Sequence, residues 1–191
     1  LVIEAGDRVK ALAVFKDQST GALRLVCMKK CITETRSEQY HYYDSDQESA
    51  YSWRTIESSY KYICVFGLVA HGALDTLLEL RDINSELNAL AVVTEPETTP
   101  RIVCGCEDGD LRVFDAVAGG DALLVIDFGS EVKDLVVFKD QETGALRLAC
   151  GTSKYIPETG SYIGDVRGFD PVAGGAARVV LDARAEAVPD H

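Results

Sequence analysis

A 17-residue segment occurs twice in this chain, and that internal repeat constrains the fold more than any other feature of the sequence. The segment reads VKALAVFKDQSTGALRL at Val9–Leu25 and VKDLVVFKDQETGALRL at Val132–Leu148, so that 14 of 17 positions are identical. Each copy has an alternating apolar run, a polar turn with glycine near its end, and a second apolar run. This pattern predicts two β-strands joined by a turn.

A more divergent unit lies between the two copies and shows a complete set of four predicted strands. Leu87–Val93 and Arg101–Cys106 form the first two, separated by a proline-containing turn. An Asp-Gly turn of the hairpin type leads into Leu111–Asp115. The fourth strand lies within ALLVID, which begins at Ala122. We therefore predict an all-β chain built from units of four short antiparallel strands.

The spacing of the units predicts where each begins and where residues are inserted. The first strands of the second and third units, at Leu87 and Val132, are 45 residues apart. The first unit begins 78 residues before Leu87, which is the same spacing plus an insertion of 33. We expect a single segment over 1–191, with the outer strand of a preceding unit at 1–8, a unit at 9–86 with an insertion at 28–60, a unit at 87–131, and a unit at 132–191 with an insertion at 153–164.

A period near 45 residues with four strands in each unit is typical of a β-propeller blade. The stretch IVCGCEDGDLRVFD in the middle unit resembles the WD40 repeat, in which an Asp-Gly turn precedes a strand that ends in Trp-Asp. Phe114–Asp115 and Phe169–Asp170 stand where Trp-Asp would, and Phe66–Gly67 stands there in the first unit. The Gly-His dipeptide of the pattern is absent. The chain thus resembles a WD40 propeller with degenerate repeats, and the resemblance implies a scaffold for protein–protein interaction.

The number of units raises the question of how such a propeller closes. About three blades and a leading strand do not close a ring, since propellers use four to eight blades. We expect the chain to be part of a larger propeller or to be completed by oligomerisation. An alternative places a fourth blade in the first insertion, with strands at Tyr40–Asp44 and Ala50–Ser58. We favour a plain insertion, because Val65–Gly72 (VFGLVAHG) aligns with Val113–Gly120 (VFDAVAGG).

Composition excludes several classes of partner. A formal net charge of −12 argues against a nucleic-acid footprint and against binding to an anionic membrane surface. No apolar run approaches 18 residues, so no transmembrane helix is predicted. The first residues, LVIEAGDRVK, lack the basic segment and apolar run of a signal peptide. We therefore expect an intracellular protein, cytoplasmic or nuclear, whose cysteines are reduced.

The aromatic residues suggest where a partner would bind, because all eight tyrosines and the single tryptophan lie in the two insertions or at their edges. Both insertions join a second to a third strand, so in a propeller they would share one face. Loops on a rigid scaffold concentrate binding residues, and Tyr and Trp are enriched at interfaces. The candidate partner-binding residues, expected on loops, are Tyr40, Tyr42, Tyr43, Tyr51, Trp53, Tyr60, Tyr155 and Tyr162. The alternative is structural, since tyrosine also favours strands and could extend a hairpin.

Catalytic chemistry has little support in the sequence. The three histidines have no Cys, Ser or Asp at a familiar catalytic spacing, and the cysteines do not form the close pairs of a zinc site. We expect no catalytic residue, metal or cofactor, and protein partners whose identity the sequence does not reveal. The expected function is a non-catalytic interaction scaffold. The alternatives are a structural propeller segment of a larger protein or assembly, such as a ubiquitin ligase or signalling adaptor, and an enzyme or ligand-binding propeller.

Overall fold

The computed structural model describes the backbone of residues 8–43, 49–68, 74–80, 83, 85–95, 98–170 and 174–182. Over these residues the chain is all-β, as predicted, and contains no helix. The first sheet consists of β1 (Arg8–Lys16), β2 (Leu23–Tyr43), β3 (Ser49–Leu68) and β4 (Leu74–Leu80). The second consists of β5 (Leu87–Val93), β6 (Arg101–Cys106), β7 (Asp110–Asp115) and β8 (Leu124–Asp127). The third contains β9 (Glu131–Lys139), β10 (Leu146–Ile156), β11 (Ser161–Ile163), β12 (Asp165–Asp170) and β13 (Gly174–Asp182).

Each sheet is an antiparallel meander in which strands follow one another in chain order. The third sheet runs β9-β10-β12-β13, and β11 pairs only with the far end of β10. The predicted leading strand at 1–8 falls mainly on residues that the structure does not describe. The predicted strands Leu87–Val93 and Arg101–Cys106 match β5 and β6 residue for residue.

The expectation that the two insertions are loops is wrong, because the backbone of both insertions forms paired β-strands. The first insertion continues β2 and β3 as one long hairpin, whose pairing runs from Arg24↔Gly67 to Tyr43↔Ser49. The two segments that could have formed strands of a separate blade therefore pair with each other. The second insertion forms the β10–β11 hairpin. Tyr, Trp, Thr and Ile favour the extended backbone, so these segments lengthen strands of the existing sheets.

The three sheets stack face to face in the same orientation. β1 contacts β5, and β5 contacts β9, so the first strands adjoin. The turn after β1 reaches the turn after β5, where Gln18 Nε2 donates to the Glu95 carbonyl oxygen at 2.7 Å. At the other end, Asn88 Nδ2 donates to Glu131 Oε1 at 2.9 Å. We call the end of the stack that holds the β1–β2, β5–β6 and β9–β10 connections the turn end, and the opposite end the hairpin end.

Hydrophobic cores fill both spaces between the sheets. The forward face of each sheet is the one on the side of the next sheet in the chain, and the backward face is the opposite one. The first core contains Phe15, Val26, Met28, Ile63, Val65, Leu80, Ile83, Leu87, Ile102, Cys104, Cys106, Phe114 and Ala116. The second contains Ala89, Ala91, Val93, Val103, Leu111, Val113, Phe128, Val132, Leu135, Leu148, Cys150 and Phe169. The middle sheet is therefore buried on both faces, and this burial supplies the main stabilisation of the stack.

One glycine shows how closely the second and third sheets approach. A Cβ added at Gly105 would lie 2.2 Å from Val132 Cγ1 and 2.9 Å from Val132 Cβ. Carbon atoms in contact are ordinarily about 3.5–4.0 Å apart. Gly105 on β6 thus leaves the space that Val132 of β9 fills.

Candidate interaction surface at the hairpin end

The β10–β11 hairpin presents two of the predicted tyrosines to solvent. Tyr155 and Tyr162 are Cα partners across the hairpin, and their ring centroids are 5.1 Å apart with planes tilted by 53°. The side chains are 50% and 71% exposed. A tight turn closes the hairpin, with Gly160 in the left-handed region at a φ of 64° and its amide donating to the Ile156 carbonyl oxygen. Cross-strand aromatic contact orders the pair while leaving most of its surface free.

The base of this hairpin is held by a polar network. Thr152 Oγ1 donates to Asp165 Oδ1 at 2.6 Å, and Arg167 Nη2 donates to Asp165 Oδ2 at 2.6 Å. Although burial acts to raise it, the pKa of Asp165 lies below its ordinary value because Arg167 and Thr152 hydrogen-bond to the carboxylate. Arg167 also lies over the Phe128 ring, 5.1 Å from its centroid. The hairpin therefore rises from a fixed point of the third sheet.

Gly164 is the residue that allows the change of strand partner at this base. β10 pairs with β12 as far as Gly151↔Val166 and then pairs with β11 from Lys154↔Ile163 onward. A Cβ at Gly164 would lie 2.4 Å from the Thr152 carbonyl oxygen. Only glycine permits so close an approach of two backbones.

The remaining predicted residues lie in the backbone of the long first hairpin. Tyr40, Tyr42 and Tyr43 belong to β2, and Tyr51, Trp53 and Tyr60 to β3. Register places His41 opposite Tyr51 and Gln39 opposite Trp53. The side chains of these six predicted residues are outside the described part of the structure. Tyr62, an edge residue of the same insertion, is buried against Cys27, Cys64 and Phe66 and belongs to the sheet itself.

The two hairpins emerge at the same end of the stack. Both connect a second strand to the third strand of a sheet, and the three sheets share one orientation. The equivalent connection of the middle sheet is short, with Gly109 between Cys106 and Asp110. The hairpin end therefore carries two projecting β-hairpins on either side of a short turn.

A second polar cluster lies on the backward face of the middle sheet. Arg112 donates to Asp108 Oδ2 at 2.8 Å, Asp110 Oδ2 at 2.6 Å and Cys106 Sγ at 2.8 Å. A hydrogen bond with Cys104 lowers the pKa of Cys106 against the effect of burial, and the Arg112 charge lowers it further. Cys106 is completely buried, so the cluster joins β6 to β7 and offers no nucleophile to solvent.

A cavity beside the first core does not add a chemical site. It has a volume of about 240 Å³ and lies beside the first core, lined by Glu79, Ile83, Arg112, Phe114 and Asp121 among others. The guanidinium of Arg112 is already bound to the two carboxylates and the thiol described above. Over the described residues, no three His, Cys, Asp or Glu side chains are grouped as metal ligands would be.

The chain matches no protein-family model and no curated protein sequence with which it was compared. Within the described part of the chain, no helix has the length and apolar character needed to span a bilayer. With the polar cluster and the cavity set aside, the candidate site is the pair of exposed aromatic side chains on one projecting hairpin of the three-sheet stack.

Exposed apolar residues on the outer faces of the first and third sheets were not predicted from the sequence. Leu12, Val14, Val136 and Phe138 are all substantially exposed there. These residues lie inside the conspicuous repeat, where an apolar residue is expected to be buried. The signal that could have identified them is their position in the first and third units, each of which packs against one other sheet among the described residues.

Proposed function

We propose that this chain is a non-catalytic protein-interaction scaffold in which three WD40-like propeller blades present two aromatic hairpins to a protein partner. The exposed pair Tyr155 and Tyr162 carries the proposal. Two rings held 5.1 Å apart on an ordered hairpin offer apolar contact area with little conformational entropy to lose. Each ring also keeps a hydroxyl for a hydrogen bond at the rim of an interface.

The WD40-like assignment is supported by the positions that stand for Trp-Asp. Phe114 and Phe169 are buried between sheets at the ends of their third strands. Asp115 follows Phe114 and accepts hydrogen bonds at 2.8 Å from the amides of Val117 and Ala118, which closes the next turn. The dipeptide in the middle sheet thus combines a buried aromatic ring with an aspartate that caps the following turn. The four-stranded meanders and adjoining first strands are in keeping with blades set side by side.

The test is a comparison of bound partners between two double variants. Tyr155→Ala/Tyr162→Ala removes the exposed rings, and Val117→Ala/Leu123→Ala removes two similarly exposed apolar side chains at the turn end. We expect the tyrosine variant to lose one or more specific partners in quantitative affinity purification, and the control to keep them. Both variants are expected to melt within a few degrees of the original chain, because exposed substitutions change stability by roughly 0.5 kcal/mol or less.

An equal partner profile for the two double variants would contradict the proposal. Loss of all partners together with a large fall in melting temperature would assign the tyrosines a structural role instead, which is the alternative raised by the sequence.

A second candidate function is structural, in which the chain is a segment of a larger propeller or assembly. The exposed apolar faces of the first and third sheets favour it, since such faces on other proteins mark contact sites. The mass of the particle in solution distinguishes this function from a scaffold that acts as a single chain.

A further inference from the structure

The forward face of the third sheet carries residues whose repeat equivalents are buried elsewhere in the chain. Phe138 occupies the position of Phe15 in the first sheet and Val93 in the second. Phe15 is 4% exposed and packs towards the second sheet, whereas Phe138 is 44% exposed. Val166 likewise is exposed, although its equivalents Ile63 and Leu111 are fully buried. The third sheet therefore presents a surface that the other two sheets use for packing.

The backward face of the first sheet also exposes residues whose repeat equivalents pack against a core in the other two sheets. Leu90 and Val92 of the second sheet pack against the first core, and Leu135 and Val137 of the third sheet pack against the second. Their equivalents in the first sheet, Leu12 and Val14 of β1, are both 60% exposed. The β1 part of this face is therefore open, whereas Cys27, Tyr62 and Phe66 on β2 and β3 of the same face are buried.

The forward face of the third sheet and the β1 strand of the first sheet carry the same glycine and valine that fit together between the second and third sheets. Gly105 on a forward face makes room for Val132 on the backward face of the next sheet. The repeat equivalents of these two residues are Gly151, on the open forward face, and Val9, on the open backward face. The nearest atom to a Cβ added at Gly151 is the Asp134 carbonyl oxygen at 4.0 Å, so the space is free within the chain. The same glycine-to-valine fit is thus available between the third sheet and a first sheet.

We propose that the forward face of the third sheet binds the exposed β1 part of the backward face of the first sheet in a second copy of this chain. The contact repeats the packing of β9 on β5 and β6 that the chain already forms between its own second and third sheets, with β1 of the second copy in the place of β9. It is heterologous, because two different surfaces meet, and two copies related by a two-fold axis satisfy both faces at once. The resulting ring has six sheets, within the four to eight that propellers use. The proposal does not depend on the hairpin tyrosines.

The first test is the mass of the purified chain in solution, measured by light scattering over a concentration series. We expect a particle of twice the 20.7 kDa of one chain, dissociating on dilution. Val14→Glu and Phe138→Glu each place a charge in both contacts of a ring formed by that variant. Each is expected to weaken association by about 30-fold or more, as loss of a central contact does. Leu123→Glu, an exposed apolar position at the turn end, is the matched control and keeps the dimer mass.

Mixing the two variants tests the heterologous geometry directly. The Val14→Glu chain retains an intact forward face, and the Phe138→Glu chain retains an intact backward face. We expect the mixture to form a complex of one copy of each at concentrations where neither variant associates alone. Circular dichroism and melting curves of the separate variants verify that each is folded.

Three results would overturn the proposal. A particle of single-chain mass at every concentration excludes the second copy, and other residues of the chain or another protein then cover the faces. Sensitivity to Val14→Glu without sensitivity to Phe138→Glu shows that like faces pair with each other. Failure of the folded variants to associate when mixed removes the heterologous contact. In all three cases the tyrosine-hairpin proposal is tested separately, by the comparison of bound partners between the two double variants.

Discussion

Substituting Gly105 with alanine tests the close stacking of the second and third sheets. The added Cβ would lie 2.2 Å from Val132 Cγ1, and Ala89 Cβ at 3.5 Å limits escape in the other direction. Val132 is fully buried, and its β-branched side chain is restricted at χ1, so it cannot simply rotate away. The sheets must separate locally or strain a rotamer.

The expected cost follows from two opposing effects. Overpacking a close-packed core costs about 1–3 kcal/mol. Replacing glycine restricts the unfolded chain and returns about 0.4–1 kcal/mol. We therefore expect Gly105→Ala to lower the free energy of unfolding by about 1–2 kcal/mol, with a fall in melting temperature of about 2–4 °C for each kcal/mol in a chain of this size.

Gly151→Ala is the matched control, because Gly151 occupies the same repeat position with no atom closer than 4.0 Å to the added Cβ. Both variants are measured by urea unfolding in the Val14→Glu background, so that association does not contribute. Gly151→Ala is expected to be neutral or slightly stabilising. Val132→Ala should relieve the clash, so that the double variant Gly105→Ala/Val132→Ala loses at least 0.5 kcal/mol less than the sum of the two single losses. Equal stability of Gly105→Ala and Gly151→Ala would refute the stacking that we describe.

Three further predictions concern stability and reactivity. Asp17 accepts hydrogen bonds from Ser19 and Arg24 that hold the pKa of its carboxyl below the ordinary 3.8. The stability that this carboxylate contributes is therefore complete above about pH 4 and is lost as the pH falls. Asp17→Asn should lower the free energy of unfolding by about 1.5–3 kcal/mol at pH 7 and flatten the acid limb of a pH–stability curve. An unchanged acid limb would contradict this. Phe169→Ala, which deletes a buried ring 5.7 Å from Phe128, should cost about 3–5 kcal/mol in urea unfolding, and a loss below 1 kcal/mol would place Phe169 outside the core. Burial raises the pKa of Cys150 to about 12, so its labelling by iodoacetamide at pH 8 should be slow in the folded chain and fast in urea, whereas equal rates would mean that the thiol is exposed.

The repeat made much of the fold predictable, because strand alternation and turn residues are local properties of the chain. β5 and β6 match their predicted bounds, and β7 begins one residue before its predicted start at Leu111. Local pattern was a weaker guide to the insertions. The candidate residues there were expected on loops, whereas β2 and β3 are long because two consecutive segments pair with each other as far as Tyr43↔Ser49.

The open faces of the terminal sheets could not be derived from local pattern at all. Phe15 and Phe138 stand in nearly identical sequence, yet one is buried and the other is exposed. The second sheet packs on Phe15, whereas no sheet of the described residues packs on Phe138. The composition of the insertions was enough to select the tyrosine candidates. The contact between Tyr155 and Tyr162 could be found only from the register of β10 and β11, which the structure provides.

The central claim, that the aromatic hairpin is a partner-binding surface, is tested most directly by site-specific photo-crosslinking. A photoreactive phenylalanine analogue is placed at Tyr162 in one chain and at Leu123, at the turn end, in another. We predict a discrete covalent adduct with a partner protein from position 162 and none from position 123. The claim would be contradicted by the absence of any adduct from position 162, or by the same adduct from both positions.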